Sequence, residues 1–198
     1  MSGAGSGAEH TSYLKAEPDA EGVPILDRIR ANAGFLPNFF RVQASWPDLI
    51  ESELALIEGI LARKGALSRQ QKEYIFLVCS AANLSTYCVT AHCEVVRMLG
   101  IEGPEPEQVA LDHTSAPLPM QFKALLNFAA KLNRSPDKIA AADVNTLRTF
   151  GFSEEQILEA VLMVGLARFT NTVSLGLGVA PDFDNPAIAR AQTRPATS

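Results

Sequence analysis

The 198-residue sequence has no cysteine outside one fifteen-residue window, no cluster of basic charge, and almost no alternation of apolar and polar residues. Each absence removes a class of protein. With 17 Lys and Arg against 22 Asp and Glu the net charge is −5, so no basic field draws nucleic acid or an anionic membrane surface. The opening MSGAGSGAEH is small and polar, without the positive start, apolar run and cleavage site of an export signal. A cytoplasmic protein is expected. The three cysteines, Cys79, Cys88 and Cys93, are odd in number, which argues against a secreted disulfide framework. Their clustering suggests thiol or metal chemistry, or else three small buried hydrophobes.

Charge is also absent locally. From Tyr74 to Cys93 there is no Asp, Glu, Lys or Arg, and a helical segment apolar nearly all round is normally buried in its own protein. Asn83, Ser85, Thr86, Thr90 and His92 interrupt the run before it could cross a bilayer, so a membrane span is excluded.

What is present is helix punctuation. Val23 to Ala33 reads as a short amphipathic helix stopped at Gly34, and Ser45-Trp46-Pro47 opens a second that runs to about Arg63. Ser68-Arg69-Gln70-Gln71 is a capping box, whose hydroxyl and amide each satisfy an unpaired amide of the first turn. The helix it opens reaches about Ala82. After the short turn Asn83 to Thr86, another helix runs from Tyr87 to Leu99 before Gly100, so the two should lie antiparallel. Further helices are expected over Pro106 to Asp112, Pro119 to Leu132, Asp143 to Phe150, and from Ser153 onward, where Ser153-Glu154-Glu155-Gln156 forms a second capping box. The expectation is an all-α antiparallel bundle over residues 21–184, between mobile tails at 1–20 and 185–198. LSRQQKEYIFLVCSAANLSTYCV and FSEEQILEAVLMVGLARFTNTVS share the cap, the apolar run and a polar break, which suggests a weak internal repeat of helical hairpins.

Three residues could carry chemistry. Glu73 is the last formal charge before the uncharged hairpin, and a carboxylate there must be paired, hydrated or partly protonated, unless it points to solvent at the helix start. Cys88 lies in the first turn of the next helix, where unpaired amides and the helix dipole favour a thiolate. His92 follows one turn later on the same face, within reach of the thiol proton; the bland alternative is a buried thiol beside a hydrogen-bonded histidine. Cys93, five positions from Cys88, stands roughly 8–9 Å away with its side chain turned aside, so the two form no intrahelical disulfide. Cys88 and His92 could share a metal ion with Glu73 or Cys79, but no second spaced ligand pair exists and no metal is expected.

These residues resemble a known family. Glu73, eleven residues, Ser85-Thr86-Tyr87-Cys88, three residues and His92 are similar to the alkylhydroperoxidase D pattern E-x11-C-x2-C-x3-H. The flanking Gly34-Phe35-Leu36-Pro37-Asn38, Ser45-Trp46-Pro47, Leu67-Ser68 and Gly151-Phe152-Ser153 agree with the peroxidase-related branch of the alkylhydroperoxidase D and carboxymuconolactone decarboxylase superfamily. The resemblance implies an all-α fold of antiparallel helices, homo-oligomers such as trimers or hexamers, no cofactor, and thiol-dependent reduction of hydroperoxides. Cys88 would be the reactive thiol, His92 its proton partner and Glu73 the far end of the relay, with Ser85 and Tyr87 in support. The departure is Ser85, which stands where the family has its first cysteine; its hydroxyl can hydrogen-bond a thiolate but cannot close a disulfide. An oxidised Cys88 would then be resolved by Cys79 or Cys93, by an external thiol reductant, or by a partner subunit. The decarboxylase branch offers non-redox acid-base chemistry on a small organic acid or lactone through Glu73 and His92, although its members generally carry Glu where this chain has Cys88. A non-catalytic oligomer that binds small molecules would keep the same scaffold.

Overall fold

The computed structural model describes residues 11–14 and 20–192, and among these it contains ten α-helices and no strand. Helix α1 (Pro24–Ala33) has proline in its first turn, where the missing N–H costs nothing, and stops at Gly34 in the left-handed conformation. Helix α2 (Asn38–Arg41) is a single turn, and α3 (Pro47–Ile57) passes directly into a π-helical turn (Glu58–Ala62). Ile25, Leu26, Ile29, Leu36, Ala44 and Ile50 close into a small core of their own. The N-terminal helices thus form a satellite layer beside the main bundle.

That bundle is built around α4 (Arg69–Ala82), which packs against α5 (Thr86–Met98), α6 (Pro106–Asp112), α7 (Met120–Arg134) and α9 (Glu154–Leu177). Surrounded on these sides, α4 buries every residue from Lys72 to Ser80, which accounts for its uncharged sequence after Glu73. Helix α8 (Ala141–Thr149) packs on α7 and α9, and α10 (Pro186–Gln192) packs on α5 and α6. Both capping boxes are formed: Ser68 Oγ accepts from the amide of Gln71 and Ser153 Oγ from that of Gln156, each at 3.2 Å.

One buried charge fastens the π turn to the bundle. Lys72, 1% exposed, donates to the carbonyls of Ile60 at 2.9 Å and Arg63 at 3.2 Å, and lies 3.4 Å from Glu159 of α9. Glu159 also accepts the Leu67 amide at 2.7 Å. Its carboxylate runs so close to Gly65 that a Cβ there would stand 1.7 Å from Oε1, so a side chain at that position would push the carboxylate off Lys72 and the Leu67 amide. The helix end orphaned by the π turn is thereby satisfied.

Two expectations are corrected. The polar break in α4–α5 has no counterpart in the second segment, because α9 is one continuous helix of 24 residues through Asn171 and Thr172, so there is no repeat of hairpins. By length and composition α9 would also suffice to cross a membrane, yet one of its faces is buried against α4 and α7. The second concerns only the parts of the expected tails that the structure describes. Residues 1–10, 15–19 and 193–198 lie outside the described residues. Inside them, Tyr13 N donates to Leu177 O at 2.7 Å and Ala180 N to Thr11 O at 2.8 Å, while α10 buries Ile188 completely and takes a 3.0 Å hydrogen bond from Thr86 Oγ1 on Gln192. Backbone pairing holds residues 11–13, and apolar contact holds residues 186–192, where composition alone suggested mobility.

Candidate active site

The break between α4 and α5 creates the site. Leu84 sits in the left-handed region at φ 58°, turning the chain back so that α5 returns along α4. Asn83 secures the turn: its amide donates to Asn171 Oδ1 at 2.8 Å and to Asn133 Oδ1 at 3.2 Å, and Asn133 donates back at 2.9 Å. Asn171 in turn donates to Ser80 Oγ at 2.9 Å. Three helices are fixed at this point by amides with few other partners to choose.

The return brings His92 onto Glu73. His92 Nδ1 and Glu73 Oε2 are 2.6 Å apart, Arg69 Nε donates to Glu73 Oε1 at 2.7 Å, and the His92 ring stacks on Phe76 at 3.7 Å. Glu73 has no solvent exposure. Burial alone would raise its carboxyl, but His92 and Arg69 together outweigh it and hold the group below its ordinary 4.5. An ionised carboxylate only accepts, so His92 Nδ1 donates to it, and Nε2 has no hydrogen-bond partner among the described residues.

Cys88 and His92 both line a cavity of about 280 Å³ between the satellite layer and the bundle. Phe39, Phe40, Leu54, Ile57 and Leu61 cover it from the N-terminal side, and Phe76, Val95 and Leu166 from the bundle. Tyr87 anchors that cover. Its hydroxyl donates to Asp182 Oδ2 at 2.6 Å and accepts the Phe39 amide at 3.2 Å, while Asp182 Oδ1 takes the Asn38 amide at 3.0 Å. Burial first, and then the Asp182 carboxylate, push the Tyr87 hydroxyl well above its usual range, so Tyr87 acts as a structural donor. Another concavity of about 260 Å³ between α7 and α8 contains neither thiol nor imidazole.

The thiol lies in the first turn of α5, as the sequence leads one to expect, but against a partner that the sequence does not mark. Cys88 is 3% exposed, and its Sγ contacts Ser174 Oγ of α9 at 3.4 Å. Ser85 is completely buried, but its hydroxyl has no hydrogen-bond partner among the described residues; the residue expected to support the thiolate is replaced in that position by Ser174. Cys79 faces the carbonyl of Ala129 at 3.9 Å, and Cys93 faces α6. Burial pushes both thiols up to about 12, with Glu107 adding to the effect on Cys93, and neither lines the cavity that Cys88 does. All three cysteines are free, and among the described residues no group of three or more His, Cys, Asp and Glu is arranged to hold a metal.

Sequence reasoning missed Arg69, Ser174 and the apolar cover. Arg69 had a signal, since it stands four residues before Glu73 on one helix face. Ser174 had none, lying 86 residues from Cys88 inside an uncharged stretch.

No protein-family model matches the sequence, and no curated protein matches it. Solved structures do. An uncharacterized peroxidase-related protein from Ralstonia eutropha, described as an alkylhydroperoxidase AhpD core, is 25% identical with a TM-score of 0.80, over 94% of this chain and 99% of its own. An uncharacterized peroxidase-related protein from Silicibacter is 25% identical with a TM-score of 0.79, over 90% of this chain and 96% of its own. The debrominase Bmp8, in a cysteine-to-alanine form with 2,3,4-tribromopyrrole, shares the fold at 21% identity and a TM-score of 0.68, over 85% of this chain and 87% of its own.

Proposed function

We propose that this chain, which belongs to the alkylhydroperoxidase D-like superfamily, is a thiol oxidoreductase that reduces small hydroperoxides through Cys88. The observation that supports this reading is the meeting of a reactive residue type and a preset proton acceptor at one apolar cavity: Cys88 and His92 share its wall, and Glu73 stands directly behind the imidazole. His92 Nε2 takes the thiol proton, directly or through a water molecule, and the ionised Glu73 stabilises the resulting imidazolium. Ser174 Oγ, whose own hydrogen is donated to the Thr170 carbonyl at 2.8 Å, accepts from the Cys88 thiol and positions it until the proton leaves. The sulfur attacks the terminal oxygen of the hydroperoxide, forming an S–O bond as the O–O bond breaks. Cys88 becomes a sulfenic acid, and the departing alkoxide leaves as the alcohol with the proton held on His92. Since Cys79 and Cys93 lie outside the cavity, a small external thiol completes the cycle. It displaces the sulfenic hydroxyl as water to give a mixed disulfide, and a second thiol frees Cys88 and departs as the oxidised dimer.

The exposed apolar stripe of Leu158, Val161, Leu162 and Phe169 on α9 supports assembly into a homo-oligomer, as the superfamily resemblance implies. A second reading keeps the thiol and changes the substrate: the aromatic lining of the cavity suits a small halogenated ring, the kind of molecule held by the debrominase neighbour.

The test replaces each cysteine by alanine. Cys88→Ala is expected to abolish hydroperoxide-dependent consumption of a small thiol without changing helicity, while Cys79→Ala and Cys93→Ala retain turnover. Undiminished turnover in Cys88→Ala would remove Cys88 from the mechanism.

A further inference from the structure

The cavity wall contains a single formal charge among its lining residues, and it is Arg69. Nε is engaged with Glu73, which fixes the plane of the guanidinium, but its two terminal nitrogens have no acceptor among the described residues. The side chain is 35% exposed, whereas Glu73 has none. A molecule in the cavity therefore meets the donors of this pair and never its carboxylate. A guanidinium with Nε occupied still presents two parallel N–H groups at its end, the geometry that matches a carboxylate. Around it the wall is aromatic and aliphatic, and a volume of about 280 Å³ admits a body no larger than a ring or a short branched chain.

We propose that Arg69 is the specificity-determining residue of this cavity, which takes a small apolar molecule bearing one carboxylate. The carboxylate sits on the guanidinium end, and the apolar body lies against Phe39, Phe40, Leu54 and Ile57. The assignment rests on the thiol reading only for what happens at the other end of the molecule. Under that reading the substrate class is a hydroperoxide of an apolar acid. Arg69 and His92 grip the two oxygens of one buried carboxylate, so the anionic end and the reacting end of the ligand share a single wall.

The experiment uses full-length Cys88→Ala protein, which lacks the thiol, and titrates it calorimetrically with benzoate and with benzamide, its neutral counterpart of the same shape. Benzoate is expected to bind about tenfold tighter, the scale of a charge-assisted hydrogen bond. Adding Arg69→Gln should bring the two affinities together, and Arg69→Lys, which keeps the charge, should retain part of the preference. Should Arg69→Gln fail to fold, high salt takes its place and must weaken benzoate while leaving benzamide unchanged. Equal affinities in the parent, no binding of either probe, or a preference that survives loss of the guanidinium or screening by salt would overturn the assignment. Because binding is read in a protein without the thiol, this result and the cysteine test above can fail independently.

Discussion

Helices α4 and α9 begin alike and end differently. Each opens with a Ser-x-x-Gln capping box and continues into an apolar run, and each reaches an asparagine-containing polar step. In α4 the chain turns at Asn83 and Leu84 and returns as α5; in α9 it continues helical, and Asn171 reaches sideways to the turn of its counterpart. Aligned on the caps, Glu73, Cys88 and His92 fall opposite Leu158, Val173 and Leu177. The straight helix thus buttresses the bent one, and only the bend brings an acid and an imidazole from separate helices into contact. Similar local signals specified helix in both places; what separates rod from hairpin is the left-handed turn imposed on Leu84 and the set of amides that fasten it.

The largest expected effect comes from making α4 more like α9. Glu73→Leu removes the carboxylate that orients His92, and thiol-dependent peroxidase activity should fall about 100-fold or more. Removing the carboxylate also strands its partners at a cost of about 3–5 kcal/mol, lessened because the Arg69 side chain is 35% exposed and can turn to solvent, so circular dichroism must show the helices intact before the activities are compared. The same variant tests the acid limb of stability. Because the Glu73 carboxyl is held below its ordinary 4.5, its stabilising contribution is fully present above that pH and is lost as pH falls through the lower folded value. Wild type should therefore lose stability on acidification below about 4.5, measured by urea denaturation at successive pH values, and Glu73→Leu should lose less.

A smaller effect is expected from the buttress. Asn171→Leu deprives Asn83 of an acceptor and Ser80 of a donor in a buried setting, which should lower the urea-measured stability by about 1–3 kcal/mol. The smallest effect sharpens the comparison most. Leu84→Gly relieves a left-handed backbone and should stabilise the fold by about 1 kcal/mol or less. At the matching position of the straight helix, Phe169→Gly should instead destabilise it by about 1 kcal/mol or more. Two substitutions of the same sign would show that the bend is not a property of Leu84.

Much of this was legible in the sequence because its causes are local. The capping boxes, the prolines at helix starts and the stops at Gly34 and Gly100 are fixed within a turn or two, and the structure has them. The contact between Glu73 and His92 was also readable, since a short turn between two helices leaves little freedom in how their faces meet. What was not readable is tertiary. The pairing of Cys88 with Ser174, the Lys72 clamp on the π turn and the docking of α10 join residues far apart in the chain, none of them marked by composition. The apparent repeat misled because a cap and an apolar run define where a helix begins and say nothing of where it bends.

The most direct measurement is the rate at which hydroperoxide oxidises Cys88 in a single turnover, with the sulfenic acid trapped by a dione probe and located by mass spectrometry. A label is expected on Cys88 alone, formed about 100-fold more slowly in His92→Ala than in wild type. A label on Cys79 or Cys93 with Cys88 untouched, or an unchanged rate without His92, would contradict that expectation.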